Sequence, residues 1–311
     1  MASIAIDSKR AAGAALAGLT ILWGCNWLAI KLALDYADPV LMNVHRTLVA
    51  IVALFAVMLW QRRAFWPNSW RAAAITGLFQ TTINFGATTL AVAEGGVGRS
   101  AVLLFTMPFW TLLFAWPVLH ERVRGMQWLA VGFGLAGLAL VIEPWNWQGA
   151  LAPKLWAVLA GTGWAAGTVA IKFFQRSERL DMLNLMTWQM TLGVLPLLPL
   201  AFFRDAAPTQ WSIGYGLALL YVGGVSSAFG FLVWVGVLRH LPAGTASFGT
   251  LAIPAIALVT AALYLGERPS AVEWTGIALL GAGLVIISLL AIHADREGRP
   301  SPVEVPPIEG S

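Results

Sequence analysis

WGCNWLAIK, residues 23–31, and WAAGTVAIK, residues 164–172, run in the same frame from a tryptophan through Ala-Ile to a lysine, 141 residues apart. The echo widens on either side. A shift of 146 aligns Gly98 with Gly244, Pro108 with Pro254, Leu119 with Leu265, Glu121-Arg122 with Glu267-Arg268, Trp128 with Trp274 and Gly137 with Gly283. The chain therefore reads as two homologous halves. A bilayer core takes about 20 apolar residues per helix. Breaks at charged or Pro/Asn-rich stretches predict spans near 13–34, 40–60, 72–92, 98–119, 126–143, 153–173, 182–203, 212–237, 243–265 and 273–293. The predicted fold is an all-α integral membrane protein of ten helices, five per half. Five is odd, so the second half must enter the membrane from the opposite side, which makes the repeats inverted. The expected division is 1–147 for the first half, 148–293 for the second and 294–311 for a Pro-rich, disordered cytoplasmic tail. Two inverted halves around one central cavity can open alternately to either side, which is a transporter's architecture.

Composition agrees with the bilayer and removes other classes. The chain is 59% hydrophobic and 11% charged, with a mean hydropathy of +0.75, too little polar surface for a water-soluble globule of 311 residues. Its net charge of +4 is scattered between apolar runs, so no nucleic-acid surface forms. Cys25 is the single cysteine, and no Cys/His cluster has metal spacing; neither metal nor other cofactor is expected. Lys9 and Arg10 precede an apolar run long enough to be an uncleaved first helix rather than a signal peptide. Basic residues orient the chain. With the N-terminus inside, the inner side collects Lys9, Arg10, Arg62, Arg63, Arg71, Arg122, Arg124, Lys172, Arg176, Arg179, Arg239, Arg296 and Arg299, and the outer side only Lys31, Arg99, Lys154, Arg204 and Arg268. Both termini are expected in the cytoplasm.

Polar and aromatic residues at mid-span are the candidates for cargo contact. Gln80, Asn84 and Thr88 recur at i, i+4 and i+8 and form one stripe on an apolar helix, matched under the 146 shift by Ser226, Gly230 and Trp234, with Thr81 matching Ser227. The stripe either faces a cavity or, for its small members, lets helices approach. Trp23 and Trp164 lie at mid-span, with Asn26 and Trp27 a turn beyond the first, and their indoles either stack on an aromatic substrate or fill the core. Trp60, Trp66, Trp70, Trp145, Trp147 and Trp211 fall near span ends and read as an interfacial belt. Met107 and Trp110 flank Pro108, and Pro254 takes the matching place in the ninth span, so the two prolines are candidate hinges or cavity-shaping bends. Lys31 and Lys172 are expected to snorkel to opposite interfaces. Arg46 has no charged match near Thr187; it is expected to pair with Asp38 or Asp35, the alternative being attraction of a substrate carboxylate. The first span holds no acid, and the acids elsewhere cluster at span ends, so facilitated diffusion or exchange is expected rather than proton coupling.

The opening WGCNWLAIK, the segment LLFAWPVLHERVRGMQWLAVGFGLAGLALVI (112–142) and its partner LVTAALYLGERPSAVEWTGIALLGAGLVII (258–287) resemble the EamA-type branch of the drug/metabolite transporter superfamily. Within it, the tryptophan-rich chain looks most like bacterial aromatic amino-acid exporters. The resemblance covers roughly residues 13–293. It implies a ten-span carrier in the bacterial inner membrane, with a cavity lined by spans one, three, four, six, eight and nine, exporting small metabolites such as aromatic and other neutral amino acids. Partners are then the small-molecule substrate and the lipid bilayer; a monomer is plausible. A drug, nucleotide sugar or phosphate ester on the same fold is the alternative, although a phosphate calls for several cavity cations that the span centres do not supply. An intramembrane enzyme is disfavoured: His45, His120, His240 and His293 lie toward span ends and no HExxH or GxSxG occurs.

Overall fold

The structure, a computed structural model, describes residues 8–120, 123, 125–143, 145, 150–203, 206–238, 240–241 and 249–296. These residues are helical, without strands. The helices are α1 (Lys9–Leu34), α2 (Pro39–Trp60), α3 (Trp70–Thr76, Gly77–Phe85 and Gly86–Gly95), α4 (Val97–Leu104 and Met107–Leu119) and α5 (Met126–Ile142). There follow α6 (Leu151–Gln175), α7 (Met182–Val194 and Leu197–Phe203), α8 (Ile213–Leu219, Leu220–Phe229 and Gly230–Leu238), α9 (Ala252–Leu265) and α10 (Ala271–Arg296). Among the described residues seven helices are long and apolar enough to cross a membrane: α1, α2, α4, α6, α7, α8 and α10; α5 and α9 are apolar but shorter. The C-terminal helix runs to Arg296, three residues into the segment expected to be tail; the rest of that segment lies outside the described residues, as do Glu121, Arg122, Trp147 and Gly244.

The helix starts follow from their caps. Asp38 accepts from Val40 N at 2.8 Å ahead of Pro39, whose missing N–H loses nothing at a first turn. Asp181 accepts from Leu183 N at 3.0 Å, Ser69 Oγ from Ala72 N at 3.2 Å and Ser212 Oγ from Tyr215 N at 3.1 Å. These caps recur at one spacing: Asp38 with Asp181 and Ser69 with Ser212 are each 143 residues apart. The centres of α3 and α8, Gly77–Phe85 and Leu220–Phe229, are π-wound, and Ser227 Oγ donates five residues back to Val222 O at 2.7 Å. Wide turns of this kind are frequent at functional sites.

The principal packing pairs are α1 with α8 and α9, α6 with α3 and α4, α2 with α8, α7 with α3, and the pairs α2–α7, α4–α9 and α5–α10. Exchanging α1 with α6, α2 with α7, and so on through α5 with α10, returns the same set. The packing of α1 on α8 is thus matched by that of α6 on α3. Trp60, Trp66, Trp70, Trp145 and Trp211 are exposed near helix ends. Lys31 and Lys172 stand in the last turns of α1 and α6, where a cation meets the negative end of the helix.

Candidate functional site

Trp23 and Trp164, the two tryptophans of the echoing segments, converge on one ring. Phe231 of α8 lies 6.5 Å from Trp23, edge-on, and 6.3 Å from Trp164. Trp23 also packs against Trp234 at 5.8 Å, and its Nε1 donates to Ser226 O at 3.0 Å. An indole N–H that is held this way leaves its ring face fixed in place. The four rings come from α1, α6 and α8, and Trp23, Trp164, Phe231 and Trp234 are all only half-buried. Sequence reading missed Phe231, although it stands 146 residues after Phe85, an aromatic pair at the repeat spacing.

The residue after Ser226 links this aromatic group to a charge. Ser227 Oγ accepts from Arg46 Nη2 at 3.4 Å, and the Arg46 guanidinium carbon lies 4.2 Å from the centroid of Phe85. The expected pairing of Arg46 with Asp38 or Asp35 does not occur. Asp38 caps the start of its own helix, and eight residues at about 1.5 Å rise place Arg46 about 12 Å further along. Arg46 is 4% exposed, forms no ion pair among the described residues, and its Nε has no hydrogen-bond partner. One turn earlier Asn43 is 0% exposed, with both side-chain polar atoms unpartnered.

The mate of Arg46 also differs from the expectation near Thr187. The 143-residue spacing of the caps on α2 and α7 places it at Gln189. Contacts agree: a Cβ on Gly77 would lie 2.5 Å from Gln189 O, and one on Gly223 would collide with Arg46 O. Gly77 and Gly223 are 146 residues apart. Gln189 is buried and its Oε1 is unpartnered.

The polar stripe of α3 is buried, and Gln80 and Asn84 turn to α6. Gln80 Nε2 donates to Thr168 Oγ1 at 3.4 Å and Asn84 Nδ2 to Ala160 O at 2.8 Å, while Gln80 Oε1 and Thr88 Oγ1 have no partner. The Asn84 bond ties two helices, so Asn84→Ala is expected to lower the Tm of detergent-purified protein by about 1–2 °C, in line with about 0.5–1.5 kcal/mol for such a bond. Thermal unfolding checks this, and an unchanged Tm would remove the packing role. Asn26 is half-buried with an unpartnered Oδ1. Trp27 is buried in the cluster that Trp23 and Met107 pack against. Trp110 stands apart from the four rings, its Nε1 donating to Thr106 Oγ1 at 3.1 Å and its ring beside Phe114 at 6.3 Å. Pro108 sits in the first turn of Met107–Leu119, just after the helix breaks at Phe105–Thr106. A proline at that position removes no helical hydrogen bond, so the break and not a mid-helix bend marks the place. Pro254 likewise follows a turn at Leu251.

A cavity of about 280 Å³ lies elsewhere, between the ends of α4, α9 and α10, lined by Gly96, Arg99, Glu267, Arg268 and Glu273 among others. None of the residues singled out from the sequence as cargo contacts lines it.

The profile of the EamA-like transporter family matches residues 11–143 and 152–289. The chain is 26% identical over 272 residues to the transporter YoaV of Bacillus subtilis (strain 168), covering 86% of this chain and 92% of that protein. It is 27% identical over 282 residues to a probable amino-acid metabolite efflux pump of Salmonella typhimurium, covering 86% and 91%. The probable amino-acid metabolite efflux pump of Escherichia coli (strain K12) is 24% identical over 284 residues. A solved crystal structure superposes over 91% of this chain and 99% of its own with a TM-score of 0.61 at 19% identity, a likeness of fold alone.

Proposed function

We propose that this chain, which belongs to the EamA-like transporter family, exports aromatic and other neutral amino acids across the bacterial inner membrane by alternating access. The observation that carries the reading is the convergence of Trp23 and Trp164, repeat mates from opposite halves, on Phe231. An indole or phenyl side chain fits among such rings by offset or edge-on stacking. Unpartnered amide oxygens of Asn26 and Gln80 are acceptors suited to an ammonium. Trp27, Met107, Ser227 and Trp234 complete the proposed wall, with Trp110 and Asn84 on its border. The relatives described as probable amino-acid metabolite efflux pumps support the cargo class.

The proposed architecture is ten spans in two inverted halves, 1–147 and 148–293, with both termini inside. It is supported by the family match on each half and by a packing scheme that survives exchange of the halves. The helix breaks before Pro108 and Pro254 are the proposed hinges. Facilitated diffusion or exchange is the proposed mode. Glu273, the buried acid among the described residues, is held by Arg99 and by Ser270 N at the start of its helix, which leaves it no proton-carrying role at mid-membrane.

Counterflow in liposomes without an ion gradient tests this. Vesicles preloaded with tryptophan or phenylalanine should accumulate the labelled amino acid, whereas vesicles preloaded with a nucleotide sugar should not. The double variant Trp23→Ala, Trp164→Ala should slow the flux by about ten-fold or more, since stacked aromatic contacts contribute about 0.5–1.5 kcal/mol each beyond their buried area. Absence of amino-acid counterflow in folded protein would overturn the reading.

A further inference from the structure

We propose that Arg46, with Asn43 one turn before it, is the anion anchor of this site and holds the carboxylate of the transported amino acid, an inference that rests on the amino-acid reading above. A guanidinium is the side chain best matched to a carboxylate, through two parallel N–H donors. A cation within a membrane-spanning helix is retained where it pairs or works. Here its neighbours are the Phe85 face and one hydroxyl 3.4 Å away, a long contact that a carboxylate oxygen can replace. Nε of Arg46 and Nδ2 of Asn43 are donors with no acceptor, on one face of α2 at i and i+3.

The repeat argues that the fold does not need the charge. The same place on α7 is filled by Gln189, which packs against Gly77 as Arg46 packs against Gly223. A scaffold that accepts a neutral amide on one side of the pseudo-symmetry accepts it on the other, so the asymmetry is a property of the site. Position agrees as well. Ser226 holds the Trp23 indole and the next residue, Ser227, receives Arg46. The Trp23 indole and the Arg46 guanidinium are thus held by consecutive residues of α8.

The test compares three ligands that share an indole ring and differ in charge: tryptophan, tryptamine, which lacks the carboxylate, and indole-3-acetate, which lacks the ammonium. Binding of the radiolabelled compounds to purified protein is measured for the unaltered chain, Arg46→Gln and Arg46→Lys. Arg46→Gln copies the residue of the other half. The unaltered protein should bind tryptophan and indole-3-acetate about ten-fold or more tighter than tryptamine, and Arg46→Gln should erase that preference while leaving tryptamine unchanged. Arg46→Lys, which keeps the charge and loses the fork, should fall between the two, and it answers the question if the glutamine variant does not fold. Tryptophan affinity within two-fold of the original in a folded Arg46→Gln protein would overturn the anchor while leaving the amino-acid reading intact. Binding of indole-3-acetate without tryptophan, lost in Arg46→Gln, would keep the anchor and overturn the amino acid. Binding of none of the three would overturn both.

Discussion

Gly137→Leu is expected to lower the Tm of the purified protein by about 4–5 °C, or to prevent its recovery, whereas Gly132→Leu on the same helix leaves it nearly unchanged. A Cβ on Gly137 would lie 2.6 Å from Gly276 O and 2.8 Å from Leu280 N, both backbone atoms of α10. A Cβ on Gly132 would meet nothing within 4 Å. Overpacking typically costs about 1–3 kcal/mol when side chains can yield, and a helix backbone yields least, so the upper end applies. At 311 residues, an unfolding entropy of about 2.1 cal/mol/K per residue makes each kcal/mol correspond to about 1.5 °C, which gives the stated shift. The repeat supplies a second pair. A Cβ on Gly283 would lie 2.8 Å from Ala130 O, and Gly281 has open space. Gly283 stands 146 residues after Gly137, and Gly276 the same distance after Ala130, so the contact of Gly137 with Gly276 reappears as that of Gly283 with Ala130. Gly283→Leu should therefore match Gly137→Leu, and Gly281→Leu should match Gly132→Leu. Equal Tm values for all four would mean that α5 and α10 do not pack backbone to backbone.

That duplicated contact shows why so much was legible in the sequence. Small residues at a fixed shift have a direct physical meaning, because two helices can approach closely only where side chains are absent. Some helix starts carry a local signal that the reading of charged and Pro/Asn-rich breaks did not use, since Asp38, Ser69, Asp181 and Ser212 are strong N-cap residues bordering apolar runs. The site was less legible because its geometry depends on register between helices. A single shift of 141 carried Arg46 to Thr187, when the caps on the same two helices give 143 and Gln189. The i, i+4 reading of Gln80 and Asn84 assumed α-winding where the chain is π-wound, and it found a buried stripe without finding which neighbour it faces. Nothing local in the sequence around Arg46 says that its guanidinium lies over Phe85, since that contact is between α2 and α3. The pair Phe85 and Phe231 was the available signal, and it needed the repeat to be applied to aromatic positions as well as to glycines.

Glu267 carries the other large effect, and it explains why the Glu-Arg pair at the end of α9 stands where it does. Helix α4 begins at Val97 with no side-chain cap of its own. Glu267, arriving from the turn after α9 in the other half, supplies one: its two oxygens accept from Val97 N at 2.7 Å and Gly98 N at 2.9 Å. The carboxylate also faces the positive end of the helix. Gly96 makes room for it, with φ at +88° and a would-be Cβ only 2.9 Å from Glu267 Oε1, so both the backbone conformation and the space require glycine. Hydrogen bonds to a charged group contribute about 1.5–3 kcal/mol each, so losing both in Glu267→Ala should lower the Tm by roughly 5–9 °C. Glu267→Gln keeps one acceptor oxygen but turns an NH2 toward a backbone donor, and it should fall between the original protein and the alanine variant. Arg99→Ala, which breaks the neighbouring pair with Glu273, should have the smallest effect of the three. Arg99 is half-exposed, an exposed pair contributes about 0–1 kcal/mol, and Glu273 retains Ser270 N at 2.8 Å in the reciprocal cap at the start of α10. Thermal unfolding of the three variants decides the order. If Arg99→Ala destabilised as much as Glu267→Ala, the ion pair and not the carboxylate cap would be what joins the two halves at this end.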